Sequence, residues 1–137
     1  MTATEQHTGG CLCGAVRYRV TGAPLKVGLC HCSQCRRQTG SAIPAFVSFR
    51  REGLEVTKGE PAGFRVSGIA TRQFCRDCGS PLFWRADKGD GITVLLGSLD
   101  DAEQMPKPSY ELWTERRIHW VPEMGEITSY RQEPQRG

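Results

Sequence analysis

The chain has 137 residues, a length typical of a single domain. Its formal net charge is +3 and its sequence pI is about 8.5, below the value of roughly 9 that marks an electrostatic nucleic-acid binder. The longest apolar run, 42–47, is far shorter than the roughly 18 residues of a spanning helix, and residues 1–10 contain no basic leader or apolar export segment. We therefore expect no nucleic-acid or membrane partner and a cytoplasmic location.

Short strands separated by turns dominate the predicted secondary structure. Residues alternate over Ala15–Val20, with Val16, Tyr18 and Val20 on one face, as in a half-buried strand. This pattern predicts an all-β fold. Further strands are predicted at Ile43–Phe49, Leu54–Thr57, Gly63–Val66, Ile69–Phe74, Pro81–Arg85 and Ile92–Leu99, and one helical turn at Ser33–Thr39.

One domain is expected to span residues 1–137, with its core at about 9–122, because no repeat or long linker divides the chain. The polar segment 129–137 is expected to fray. Leu, Ile, Val and Phe together make up only about 20% of the residues, which is near the lower limit for globular proteins. The core is therefore thin, and the cysteines are the obvious source of additional stability.

The seven cysteines fall into three clusters along the chain. Thiols stay reduced in the cytosol unless they are catalytic or bound to metal, and an odd number disfavours a framework of disulfides alone. We therefore interpret them as metal ligands. The clusters are Cys11 and Cys13; Cys30, Cys32 and Cys35; and Cys75 and Cys78.

The first and last clusters together supply four thiolates. Cys11 and Cys13 are two positions apart, so in a strand both would point to one face. Cys75 and Cys78 have the spacing of a zinc knuckle, and Gly79 directly after them permits the positive φ of a tight turn. Four thiolates make a closed tetrahedral site. We predict a structural zinc there, which would supply folding free energy that the thin core lacks.

The middle cluster leaves one coordination position open. Three thiolates, from Cys30, Cys32 and Cys35, leave the fourth position of a tetrahedral zinc to water or substrate, as in a catalytic site. A soft metal–thiolate centre suits a soft fourth ligand, so a small thiol is the expected substrate, and the metal would deprotonate it. We therefore predict one structural and one catalytic zinc.

Other uses of the cysteines stay open. Cys32 and Cys35 together with Cys75 and Cys78 would suffice for an ordinary zinc ribbon. A thioredoxin-like redox motif would need a βαβ context that this strand-rich chain lacks. The spacing in the middle cluster also does not match the cysteine run of an iron–sulfur site. The zinc ribbon is the main structural alternative.

Polar residues near the middle cluster are candidate substrate contacts. Arg36 and Arg37 are predicted to offset the anionic metal centre and to bind a substrate carboxylate, with a solvated helix face as the alternative. Residues 38–41 form a small polar turn that could line the open zinc position. His31 is expected to pack or hydrogen-bond, and His119 to be a core or sheet-edge residue, with proton transfer as the alternative for each.

Three blocks of the sequence carry a specific signature. They are GCLCG running into AVRY at 10–18, CHCSQCRRQTG at 30–40 and FCRDCGSPL at 74–82. In this order the blocks resemble the glutathione-dependent formaldehyde-activating enzymes and the related CENP-V proteins. The aromatic segment at 113–122 is similar to the C-terminal strand of that family, so the resemblance covers most of the chain.

The resemblance implies a zinc-stabilised β-tent of small coiled antiparallel sheets. It implies the same division of the cysteines into a closed structural site and an open catalytic site. It further implies carbon–sulfur lyase activity, in which a glutathione thiolate held at zinc adds to formaldehyde to give S-hydroxymethylglutathione, or the reverse.

Two other functions stay open on the sequence. The chain could be a zinc-stabilised binding module without turnover. It could also be a redox or metal sensor, because zinc held by exposed thiolates is open to oxidative release. The pattern of strands does not commit the chain to an oligomeric state.

Overall fold

Two β-sheets and one short α-helix make up the fold of residues 5–134. A computed structural model of the chain describes residues 5–134. No helix in this part of the chain has the length and apolar character needed to cross a membrane. The all-β prediction is confirmed. The elements are β1 (Gln6–Gly10), β2 (Arg17–Thr21), β3 (Lys26–Cys30), α1 (Ser33–Thr39), β4 (Ala45–Arg50), β5 (Leu54–Lys58), β6 (Ala62–Arg65), β7 (Ala70–Phe74), β8 (Pro81–Ala86), β9 (Gly91–Leu95), β10 (Tyr110–Leu112) and β11 (Thr128–Ser129).

The small sheet has three strands in the order β1-β2-β5, all antiparallel. Tyr18 and Val20 of β2 are buried, whereas Arg17 and Arg19 are partly exposed, which confirms the predicted alternation. The strand begins at Arg17 rather than at the predicted Ala15, because residues 12–15 form the turn that follows the first cysteine.

The large sheet has eight strands in the order β11-β10-β3-β4-β9-β8-β7-β6. It is antiparallel except at β10, which runs parallel to both β3 and β11. A parallel pair needs a connection of roughly a dozen residues or more. Residues 31–109 separate β3 from β10, and residues 113–127 separate β10 from β11, so both parallel pairs meet this requirement. The strand predicted at Ile92–Leu99 is shorter than expected, because it ends at Leu95 and Leu96–Ser98 forms a 3₁₀ turn.

The C-terminal segment makes backbone hydrogen bonds as far as Gln132, and the fraying expected from residue 129 stays a prediction. Ser129 belongs to β11. Trp113 N donates to Gln132 O at 3.2 Å, and Thr114 N donates to Tyr130 O at 3.0 Å. The rest of the predicted frayed tail, residues 135–137, lies outside the described residues.

One apolar core lies between the two sheets. Tyr18 of the small sheet meets Phe83 of the large sheet edge to face, with ring centroids 5.0 Å apart. The Tyr18 hydroxyl also hydrogen-bonds to Ser98 Oγ at 2.6 Å. Cys11 and Cys75 are buried in the same cluster, so the first and last clusters of cysteines meet at the edge of the core.

Candidate metal centres

Four cysteine sulfurs converge at the edge of the core. The Cys11–Cys13 and Cys13–Cys75 Sγ distances are 3.7 and 3.8 Å. A tetrahedral zinc with Zn–S bonds of about 2.3 Å places its sulfurs about 3.8 Å apart, whereas a disulfide needs about 2.05 Å. This four-cysteine group therefore fits a tetrahedral metal ion. The Sγ atoms that lie within 4.8 Å of one another belong to Cys11, Cys13, Cys75 and Cys78.

Cys11 and Cys13 lie in the turn between β1 and β2, so their predicted strand conformation was wrong. Gly14 N donates to Cys11 O at 3.2 Å and closes the turn. Val16 N donates to the Cys11 sulfur at 3.2 Å, a contact that favours a charged sulfur. The turn brings the two sulfurs together by a different backbone path from the one expected.

Cys75 and Cys78 lie in the tight turn after β7. Gly79 has a φ of 81°, a left-handed conformation that favours glycine. Its N–H donates to Cys75 O at 2.8 Å. The positive φ predicted for this position is confirmed.

Ser80 connects the two halves of the four-cysteine group. Its hydroxyl accepts a hydrogen bond from Leu12 N at 3.0 Å and donates to Cys78 Sγ, which lies 3.1 Å away. The hydroxyl contact lowers the pKa of Cys78 to about 5, which favours the thiolate that a metal binds. The sequence analysis missed this residue because serine is not itself a zinc ligand.

Three further sulfurs converge where β3 meets α1, and they form the three-cysteine group. Cys30 ends β3, Cys32 caps the N-terminus of α1, and Cys35 lies in the first turn of the helix. The three Sγ atoms lie within 4.8 Å of one another, and no other cysteine, histidine or carboxylate of residues 5–134 joins them. The group fits a metal ion that has three thiolates and one further ligand.

The crowding of these thiols separates their proton affinities. Hydrogen bonds from Cys30 and then from Cys35 hold the pKa of Cys32 far below its ordinary range. Hydrogen bonds with Cys32 and Cys35, together with burial, hold the pKa of Cys30 well above that range. Three thiolates this close therefore need a cation among them. Cys32 is partly exposed and the other two are buried, so the group faces solvent on the Cys32 side.

Apolar side chains cover the buried sulfurs. Cys30 and Cys35 pack with Phe46 of β4 and Leu95 of β9, and Trp113 packs against the same cluster. Trp113 has a φ of 58°, a backbone conformation that is costly for an aromatic residue. The cover keeps water away from the sulfurs on this side.

Arg72 of β7 reaches the three-cysteine group from the large sheet. It is 4% exposed, and its Nη2 donates to Cys35 Sγ at 3.3 Å. The sequence analysis missed Arg72 because 37 residues separate it from Cys35 and no local pattern marks it.

His31 hydrogen-bonds into a buried charged network and does not join the sulfurs. Its Nε2 lies 2.8 Å from Glu111 Oε1, which is also 2.7 Å from Arg117 Nη2. Ser129 Oγ donates to Glu111 Oε2 at 2.8 Å. Burial opposes ionisation of Glu111, but Arg117, Ser129 and His31 bring its pKa below the ordinary value. The network fastens β10 and β11 beside the cysteines, and hydrogen bonding is the role expected for His31.

The comparison with protein families is decisive for the chain as a whole. Residues 6–116 match the family model of the glutathione-dependent formaldehyde-activating enzymes, and this stretch contains all seven cysteines. The chain belongs to this family. Family membership confirms the resemblance to the formaldehyde-activating enzymes carried by the three sequence blocks.

Individual members and structures agree with this assignment. An uncharacterized lyase of Schizosaccharomyces pombe is 31% identical over 85 residues, which span 61% of this chain and 61% of that protein, less than two thirds of its length. A Halomonas elongata protein, named provisionally as a glutathione-dependent formaldehyde-activating enzyme, is 29% identical over 82% of this chain and 78% of its own. A crystal structure of a Rhodobacter sphaeroides protein has a TM-score of 0.58 and 27% identity, covering 72% of this chain and 97% of that one.

The other predicted site residues of this formaldehyde-activating enzyme family member lie in two places. Arg36 is half-buried and Arg37 is exposed, and both follow Cys35 in α1. His119 is exposed in a turn at 118–121, and it joins neither cysteine group. The structure therefore keeps the two arginines on the helix of the three-cysteine group and leaves His119 apart from both groups.

A cavity of about 580 Å³ lies between the four-cysteine group and the C-terminal end of α1 in this family member. Cys11 lines it on one side. Thr39, at the end of α1, and Leu95, which packs with the three-cysteine group, line it on the other. Ser41 and Ser98 add hydroxyl groups. The volume is within the roughly 300–1,000 Å³ typical of small-molecule sites.

Proposed function

We propose that this chain is a zinc-dependent carbon–sulfur lyase. The difference between the two cysteine groups carries the proposal. Four sulfurs make a complete tetrahedral set, whereas three sulfurs, one of them on the partly exposed Cys32, leave one coordination position free. The four-cysteine group would hold a structural zinc and the three-cysteine group a catalytic zinc. Membership of the formaldehyde-activating family supports this division.

The proposed reaction joins a small thiol to an aldehyde. Zinc, when bound, would lower the pKa of a coordinated thiol so that its thiolate exists near neutral pH. The thiolate sulfur attacks the carbonyl carbon, the carbonyl π pair moves to oxygen, and the proton released by the thiol ends on that oxygen. The reverse reaction breaks the same carbon–sulfur bond. Neither direction needs an oxidant or a reductant.

The chain's own residues divide the work around the reacting thiol. Cys30 and Cys35 would hold the metal from the buried side, and Cys32 would hold it at the solvent side, where a thiol could enter. Trp113 and the apolar side chains around it exclude water from the sulfurs. A water-poor surrounding strengthens the electrostatic interactions on which thiolate formation depends.

A glutathione-like thiol is the proposed substrate class, with formaldehyde as the aldehyde. The cavity beside α1 has room for a molecule of this size. Arg36 and Arg37 supply two cations on the helix of Cys35, which suit a substrate carboxylate. The name of the Halomonas relative supports the same pair of substrates. The proposal also implies a reducing compartment such as the cytoplasm, where these thiols stay available to metal.

Two cysteine substitutions test the division of roles. Wild-type protein purified under reducing conditions is expected to contain about two zinc ions per chain. Cys32→Ser should keep the fold and one zinc, but should lose the acceleration of glutathione–formaldehyde exchange measured by NMR. Cys11→Ser should lower the melting temperature or unfold the chain, because a structural zinc supplies folding free energy. Ser33→Ala is the control beside Cys32, and it should keep both zinc ions and the exchange rate.

The alternatives give different results in the same experiment. A folded Cys32→Ser protein that still binds glutathione and accelerates the exchange would contradict the proposal. A wild-type protein with about one zinc and freely alkylated Cys30, Cys32 and Cys35 would favour a zinc-stabilised binding module. Reversible loss of one zinc under mild peroxide, without turnover, would favour a redox sensor.

A further inference from the structure

Arg72 is a buried cation whose anionic partner is a sulfur atom. Its Nη2 donates to Cys35 Sγ at 3.3 Å, and its Nη1 donates to Gln38 Oε1 at 3.2 Å. The ion pairs found among residues 5–134 include none between Arg72 and a carboxylate. Gln38 is neutral, so Cys35 is the group that can offer the guanidinium a negative charge.

A buried guanidinium needs such a charge. Arginine stays protonated in proteins, and burial of a charge without a partner is strongly unfavourable. The side chain is 4% exposed, so solvent does not provide the compensation. The position of Arg72 is fixed as well, because β7 is paired with β6 on one edge and with β8 on the other. The arrangement is stable only when the three-cysteine group is anionic.

The net charge of a metal-bound three-cysteine group also calls for one nearby cation. Three thiolates on a divalent zinc carry a net charge of −1, and one guanidinium brings the total to zero. The contact with Cys35 and Gln38 also spans one turn of α1, so it fixes the helix that carries the ligand relative to β7. A hydrogen bond to a ligand sulfur draws charge away from it and tunes the metal that the sulfur binds.

We infer that Arg72 is the fixed counter-cation of the three-cysteine group, a positioning residue that stabilises its metal-binding anionic form and orients Cys35. The inference rests on the proposed function only in requiring that this group bind a divalent metal. The exposed Arg37 and the half-buried Arg36 are then free to contact substrate.

Metal binding by the intact protein tests the inference without an activity assay. Cobalt(II) and zinc are titrated against a chromophoric chelator, so that the first and second metal equivalents are resolved. Arg72→Gln should weaken the binding of the second metal equivalent about tenfold or more and should shift the sulfur-to-cobalt charge-transfer band. The affinity for the first metal equivalent should stay unchanged. Arg72→Lys, which keeps the charge, should recover most of the affinity. Arg85→Gln is the matched control, because Arg85 is a partly buried arginine on β8 that hydrogen-bonds to Gln73 and not to a sulfur.

Equal second-site affinity and an unchanged cobalt band in folded Arg72→Gln would overturn the inference. A stability comparison decides the case in which that variant does not fold. Arg72→Met should lower the melting temperature of wild-type protein but raise that of Cys35→Ser, where the guanidinium has lost its anion. If Arg72→Met lowers the melting temperature of both wild type and Cys35→Ser, Arg72 has a purely structural role and the inference is overturned. If wild-type protein binds no second metal, the proposed function fails, whereas loss of the Arg72 effects alone overturns only this inference.

Discussion

Ser80 makes hydrogen bonds to both halves of the four-cysteine group. Alanine at this position removes the hydroxyl that donates to Cys78 and leaves Leu12 N–H without its acceptor. Hydrogen-bond partners of metal ligands are typically worth about 10- to 100-fold in metal affinity. We expect Ser80→Ala to weaken zinc binding at this group about tenfold in a chelator competition and to leave the three-cysteine group unaffected. Ser67→Ala is the control, because Ser67 accepts from a backbone N–H away from both groups; equal affinities for the Ser80 variant and wild type would refute the role.

The candidate ligands could be picked out from single positions, but their hydrogen-bond partners could not. Residue type and local spacing are enough to single out seven sulfurs and the positive φ of Gly79. Ser80 reaches Leu12 across 68 residues of sequence and Arg72 reaches Cys35 across 37, and spacing does not reveal contacts over such separations. The sequence suggested Arg36 and Arg37 as cations for the metal centre, whereas the structure places Arg72 against its sulfur.

The pairing of β3 with β10 depends on a close approach at Gly28. Tyr110 is the partner of Gly28 in the parallel register, and a Cβ on Gly28 would collide with the Tyr110 ring. Overpacking of this kind typically costs about 1–3 kcal/mol. We expect Gly28→Ala to lower the free energy of unfolding by that amount in urea denaturation, because β10 or the ring must move away. Since β10 carries Glu111 toward His31, the variant should also loosen the three-cysteine group.

Two further variants separate this steric effect from the intrinsic effect of adding a methyl group. Gly68→Ala adds the same methyl where nothing lies within 4 Å, and it should change stability little. Tyr110→Ala removes the ring that Gly28→Ala would meet, so the two substitutions should cost less together than the sum of their separate effects. Additive costs would show that the ring does not set the pairing.

Elements with a local signal were predicted well, and the others depended on distant partners. The helical turn predicted at Ser33–Thr39 is α1, and the alternation that predicted β2 is present in the structure. Residues 26–30 of β3 are buried at four successive positions, so alternation cannot reveal this strand. Residues 6–10 of β1 carry no apolar alternation. The strand β11 has two residues and exists only through its pairing with β10.

At the scale of the whole molecule, the thin core predicted a need for cross-links but not which parts of the fold they join. The four-cysteine group connects the β1–β2 turn of the small sheet to the turn after β7 of the large sheet. The three-cysteine group connects β3 to α1, and Arg72 adds β7. Sheet order depends on pairings between strands far apart in sequence, which a pass along the chain cannot supply.

His7 is a further cross-link, and its charge makes the stability of the molecule depend on pH. It lies on β1, its ring centroid is 5.7 Å from that of Phe49 on β4, and its side chain is 10% exposed. Its Nδ1 is 2.7 Å from Asp101 Oδ2 and its Nε2 is 2.8 Å from Glu5 Oε2. Both nitrogens can donate only in the protonated ring. Burial opposes that charge, but the hydrogen bonds that the ring donates to Glu5 and Asp101 outweigh it and raise the pKa of His7.

The raised pKa determines the direction of the pH effect. A histidine whose pKa is higher in the folded state than its unfolded value of about 6.5 contributes its full stability below that value, and loses the contribution as pH rises through the folded pKa. The melting temperature of wild type should therefore exceed that of His7→Gln by more at pH 6 than at pH 9. Acid also weakens metal binding to thiolates, in the opposite direction. Both proteins keep all seven cysteines. The difference in melting temperature between zinc-loaded wild type and zinc-loaded variant, taken at each pH, therefore cancels the effect of acid on metal binding. A difference between wild type and His7→Gln that does not vary with pH would rule out a charged His7 between the two carboxylates.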